Sequence, residues 1–184
     1  MTFRRFFIFL SASIILTGCG KPLQKQAQER LYTLSEAGGL STAEFTVTKI
    51  LKASDYSWWK IGERKILISC KAFLEAGVDM TRYDASKTKI NADGKAIRLT
   101  LPEVELLSFN IPADQIEVAY ERVTGMRSDF SPEDKNNILR QGEADIRADI
   151  PNLGILAVAK TNTVSFFTSM LKEMGFETVE IDFE

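Results

Sequence analysis

The chain of 184 residues has no histidine and only two cysteines, Cys19 and Cys70. Without imidazole there is no Ser-His-Asp or Cys-His nucleophilic system. Histidine-ligated zinc and imidazole pH switching are excluded as well. Basic residues number 23 against 25 acidic ones, for a net charge of -2. No concentrated basic patch suggests nucleic acid. No internal repeat or low-complexity tract stands out. The apolar run Phe6 to Leu16, broken only by Ser11 and Ser13, is shorter than the ~20 residues a membrane span needs. No cofactor or metal motif is expected.

What is present begins at the N-terminus. Arg4 and Arg5 precede the apolar run, and Leu16-Thr17-Gly18-Cys19 closes it. That order is a secretory signal. It resembles the bacterial lipoprotein signal, in which a Leu and two small residues precede a Cys. The resemblance implies cleavage before Cys19 and lipidation of Cys19, so that the membrane is the first partner. No acidic residue appears before Glu29. By resemblance to lipoprotein sorting rules, this implies the periplasmic face of an outer membrane. Losing Arg4 and Arg5 moves the net charge to about -4, which favours solubility. Lipidation of Cys19 leaves Cys70 no partner for an intramolecular disulfide. The expected organisation is a signal over 1–18, a lipidated Cys19 and tether over 19–42, and one domain over 43–184. One domain suits that length, and the 45% hydrophobic content suffices for a core.

Strand periodicity dominates the first part of that domain. Ala43, Phe45, Val47 and Leu51 share one face of a segment whose other face carries Glu44, Thr46 and Thr48. Ile66, Ile68, Cys70, Ala72 and Leu74 repeat the pattern. Asp93-Gly94 supplies a tight hairpin between flanking strands, and Pro102 interrupts the second of them. Val104 to Phe109 and the alternating Ile116, Val118 and Tyr120 predict two further strands.

At Phe130 the period changes. Ser131 is a suitable N-cap, with Pro132 next and Asp134 three residues on, close to a capping box. The spacing predicts a helix to about Asp149, ended by Pro151 and Gly154. A second helix is expected from Ile155 to Met174, with Phe166, Phe167, Met170 and Leu171 buried and Gly175 as its stop. Glu177 to Phe183 predicts a last strand. Upstream, Gln24 to Glu36 predicts a short helix or a flexible leash. Strands, then two helices, then a strand define an α+β fold, a mostly antiparallel sheet with the helical pair on one face.

Five stretches resemble a bacterial family, domain of unknown function 4230: Glu44 to Asp55, Lys60 to Met80, Leu101 to Ile111, Met126 to Asn162 and Gly175 to Phe183. Ala76-Gly77-Val78-Asp79 and Leu101-Pro102 are the most specific pieces. The resemblance implies a lipid- or membrane-anchored protein on the outer side of the cytoplasmic membrane, and it carries over no assigned activity. The order of elements also looks like the stomatin–prohibitin, or band 7, domain, a fold-level analogy that implies a self-associating scaffold.

Four features are candidates for chemistry or contact. Cys70 sits among apolar residues at strand period, which favours a buried thiol over a reactive one. Ser69 and Lys71 could serve as nucleophile and base only if the lysine were desolvated. Asp145 and Asp149 are helix neighbours, but Glu143 and Arg147 read as an ordinary surface ion pair. Tyr56, Trp58 and Trp59 form a candidate contact surface. Alternation places Trp59 and Ile61 in the core and leaves Tyr56, Trp58 and Lys60 outside; alternatively both indoles pack. The expectation is a non-enzymatic envelope lipoprotein that binds a protein partner or self-associates. The alternatives are a carrier of a small apolar ligand, with a pocket between sheet and helices, and a histidine-free hydrolase using Ser/Lys or carboxylates.

Overall fold

A computed structural model describes residues 22–55 and 59–184. Its spine is a long antiparallel pair, β1 (Gly39–Asp55) and β2 (Arg64–Asp79), in register from Gly39 opposite Asp79 to Asp55 opposite Arg64. Two strands share the other side of β2. β5 (Val104–Asn110) pairs with Phe73 to Val78, and β6 (Ile116–Val123) pairs with Arg64 to Cys70. All these pairings are antiparallel, as expected. The period-2 face Ile66, Ile68, Cys70, Ala72, Leu74 and Ala76 is at most 1% exposed. It packs against α2 (Pro132–Leu153) and α3 (Ile155–Met174) through Ile146, Ile150, Ile155 and Ala159.

A second, smaller sheet holds the other core. β3 (Lys89–Ile90) and β4 (Ala96–Leu101) form the expected hairpin, with Gly94 at φ +71°. β7 (Thr178–Phe183) lies parallel to β4, with Ile97 opposite Val179. Parallel neighbours require a crossover, and the chain from β5 through α3 provides it. Ile97, Leu99 and Leu101 pack with Val78, Met80, Phe167 and Leu171. α3 therefore serves both cores, Ile155 and Ala159 in the first and Phe167 and Leu171 in the second. Between them Thr163 is fully buried. Its hydroxyl is 2.9 Å from that of Thr42, which itself donates to Ala159 O. The buried polar group is thereby satisfied.

Three local outcomes refine the sequence reading. The stretch read as helix or leash is a helix, α1 (Leu23–Ala37), with Ala27 and Leu31 buried in the second core. Pro151 does not end α2, which continues to Leu153 and stops at Gly154 (φ +75°). Proline forfeits one donor, and here it sits in the last turn. The capping box forms in full: Asp134 N donates to Ser131 Oγ and Ser131 N donates to Asp134 Oδ2, each at 3.1 Å. Of the four α3 residues expected inside, Phe167 and Leu171 are buried, Met170 is half-buried, and Phe166 is 41% exposed.

Candidate contact surface at the hairpin tip

The β1–β2 ladder stops at Asp55 opposite Arg64. The end of β6 then comes across to hold the connecting turn. Thr124 N donates to Glu63 O at 2.9 Å, and Met126 N donates to Ile61 O at 3.0 Å. The two backbones touch so closely that side chains are excluded. A Cβ on Gly62 (φ +105°) would lie 2.0 Å from Thr124 O. One on Gly125 (φ +69°) would lie 2.6 Å from Ile61 O. Only glycine fits such a positive-φ close approach.

Charges fix the base of the tip to the start of α2. Arg64 lies 3.1 Å from Asp134 and 3.5 Å from Asp55. Its guanidinium also stacks over the Phe130 ring, 4.6 Å from the centroid. Arg127, only 3% exposed, pairs with the same Asp55. Asp134 is held below the usual carboxylate range by the backbone N–H of Ser131 above all, with help from the Ser131 hydroxyl and Arg64. A charge as buried as Arg127 persists only when paired.

Beyond this anchored base the tip is apolar and open. Trp59 is 67% exposed, Ile61 74% and Met126 87%. The expected burial of Trp59 and Ile61 is therefore wrong. Alternation holds only along a paired strand, and these residues lie in the turn and bend after the ladder has stopped. Tyr56 and Trp58 lie outside the described residues, as does Cys19. Met126 was not singled out from the sequence. It reaches the tip through the Met126–Ile61 backbone bond, across 65 positions of chain, and the Thr124-Gly125 turn is its only local signal.

The other candidates are not assembled into a chemical site. Cys70 is 1% exposed, its thiol 3.7 Å from Lys49 O. Burial pushes that thiol up, against the lesser pull of Lys49, which suits a core role. Lys71 is exposed beside half-buried Ser69, so it lacks the desolvation a base requires. Glu143 pairs with Arg147 at 2.9 Å, and Asp149 with Lys49 at 3.3 Å. Among the described residues no three His, Cys, Asp or Glu side chains converge as metal ligands. A groove of about 380 Å³ runs between α1 and α3, lined by Leu34, Phe166 and Met170 with Arg30 and Glu173 at its sides. Helices alone line that groove, while a second of about 540 Å³ lies between Ile111 and Ile116 and the α2 residues Leu139, Arg140 and Glu143. No described helix is long and apolar enough to cross a membrane.

Fold and surface together define an α+β domain of two sheets bridged by one helix, with a rigidly based apolar tip. A family model, "Protein of unknown function (DUF4230)", matches residues 33–181, and the chain belongs to that family. The match begins inside α1 and ends inside β7. No curated protein and no solved structure matches the chain. The likeness to the band 7 domain finds no support among these comparisons.

Proposed function

We propose that the protein is an envelope lipoprotein, anchored through Cys19, whose domain is a non-enzymatic binding or scaffold module. The observation that carries this reading is the N-terminal order of Arg4-Arg5, the apolar run and Leu16-Thr17-Gly18-Cys19. The position of α1 supports a short mount. α1 starts at Leu23 and is docked in the second core. Four residues from Cys19 span at most ~14 Å, so the domain stands directly on the bilayer that holds the acyl chains. Leu23 lies near Gly175 at the end of α3, beside the second sheet. The Trp59 tip is at the opposite end of the β1–β2 hairpin. At about 3.3 Å per residue a 17-residue strand is about 50 Å long once twist is allowed for. The tip thus points away from the anchoring bilayer, towards whatever the module meets.

Replacing Cys19 by Ala tests the reading. In cells fed a labelled fatty acid, the natural chain is expected to take up label and fractionate with envelope membranes. Cys19→Ala is expected to take up none, and to remain unprocessed or become soluble. Normal cleavage and membrane association in that variant would contradict the anchor.

A further inference from the structure

The outer face of the larger sheet, the one turned away from α2 and α3, sorts its charges along the strands, with like charges paired across them at each end. Glu44 on β1 stands directly opposite Glu75 on β2. Ten residues along the same strands, Lys65 on β2, which also lies 3.4 Å from Glu63, stands opposite Arg122 on β6, with Ser54 on its β1 side and Lys52 one row back beside Leu67. Like charges directly opposite in a sheet are destabilising. Here one such pair is acidic, at the end near the second sheet, and the other is basic, at the tip end. Between them the face is partly apolar and open. Ile50 is 58% exposed, Tyr120 44% and Phe73 39%, and Leu67 is half-buried.

We infer that this face is an isologous interface for a second copy of the chain. Its pattern is self-complementary about one particular two-fold axis. Successive outward rows across the strands read acidic (Glu44, Glu75), aromatic (Phe73), basic (Lys71), acidic on the β6 side (Glu117, across Ser69 from Ile50), largely apolar (Leu67 and Tyr120, with Lys52 on β1) and basic (Lys65, Arg122), following the strand registers. An axis lying between two stacked faces and running across the strands reverses this order in the partner. Glu44 and Glu75 of one copy then meet Lys65 and Arg122 of the other. Phe73 meets Leu67 and Tyr120, and Lys71 meets Glu117. An axis along the strands would instead set acid against acid. Charge therefore selects both the occupant and its orientation, as an isologous contact requires. The six rows extend ~33 Å along strands with facing sheets ~10 Å apart, in the aligned packing usual for sheet faces. The inference does not depend on lipidation of Cys19, which would only raise the local concentration of copies.

The test uses the full chain in detergent, followed by sedimentation velocity at low and high salt. The natural chain is expected to dimerise with micromolar affinity, weakening as salt screens the end contacts. Two variants are made, Glu44→Lys/Glu75→Lys and Lys65→Glu/Arg122→Glu. Each is expected to lose at least ten-fold in self-affinity, because both ends now repel. Mixed together they are expected to regain a one-to-one dimer, since one copy is basic at both ends and the other acidic. Circular dichroism on each variant alone confirms that it folds. A natural chain that stays monomeric to about 100 μM, variants that dimerise unchanged, or folded variants that fail to pair with each other would each overturn the interface.

Discussion

Phe167 joins the second core to the helix that also serves the first, and its truncation measures how much α3 holds the two sheets together. The ring is fully buried and packs edge-on against Phe166, with centroids 5.1 Å apart and planes at 88°. Phe167→Ala removes a buried aromatic and leaves a cavity, a loss of ~3–5 kcal/mol. Phe166→Ala breaks the same ring pair, but its ring is already 41% exposed. Its cost is expected to be ~1–2 kcal/mol from apolar burial and the edge contact. Comparing the two separates burial from ring pairing. Guanidinium titration followed by far-UV circular dichroism provides the free energies. With a slope of roughly 4 kcal/mol per molar denaturant, Phe167→Ala is expected to lower the midpoint by ~1 M without changing the slope. In a thermal scan the same loss corresponds to a drop of ~6–20 °C. Marginal domains hold only ~5–15 kcal/mol in all, so the variant should fold yet be visibly weakened. Equal losses for the two substitutions, or a larger one for Phe166→Ala, would show that α3 does not pack as described.

Trp59→Ser is expected to change the melting temperature by no more than a degree or two, because exposed substitutions cost at most ~0.5 kcal/mol, while Gly62→Ala, where a Cβ meets Thr124 O, should destabilise clearly; thermal scans of both variants check whether the tip is an open end on a rigid base. Stability is expected to stay nearly flat from pH 7 to about 5, since no histidine titrates, and to fall below about pH 4. Asp79 is depressed by the Thr81 hydroxyl and N–H, Asp84 by those of Ser86, Glu121 by Lys135, and Asp134 by Ser131 N–H. A depressed carboxylate contributes stability above its unfolded value and loses it as pH falls through the folded one. A melting temperature that rises on acidification through this range would contradict those contacts.

The sequence made the local elements legible where one physical signal decided them. The period-2 face from Ile66 to Leu74, the Asp93-Gly94 hairpin, the Ser131–Asp134 capping box and the Gly175 stop all stand as expected. Each depends on residues close together in the chain. The division into two sheets was not legible. It depends on β5 and β6 sharing one side of β2 and on β7 lying parallel to β4, which no local pattern encodes. Helix and leash stay equally open for α1 on sequence alone, because only Ala27 and Leu31 are buried in a largely polar helix. Trp59 and Ile61 were misplaced because a strand's period was carried past the end of its ladder. Met126 was missed because only the fold brings it to the tip. The like-charge pairs Glu44–Glu75 and Lys65–Arg122 needed the register of three strands before they could be seen as pairs.

The central claim is that this family domain is mounted on a membrane through Cys19, and the mass of the N-terminal peptide of the protein isolated from its own cells tests it most directly. That peptide is expected to begin at Cys19 and to carry the added mass of acyl chains, with residues 1–18 gone. An unmodified peptide containing Gly18-Cys19 intact, or one beginning at Cys19 without added lipid, would contradict it.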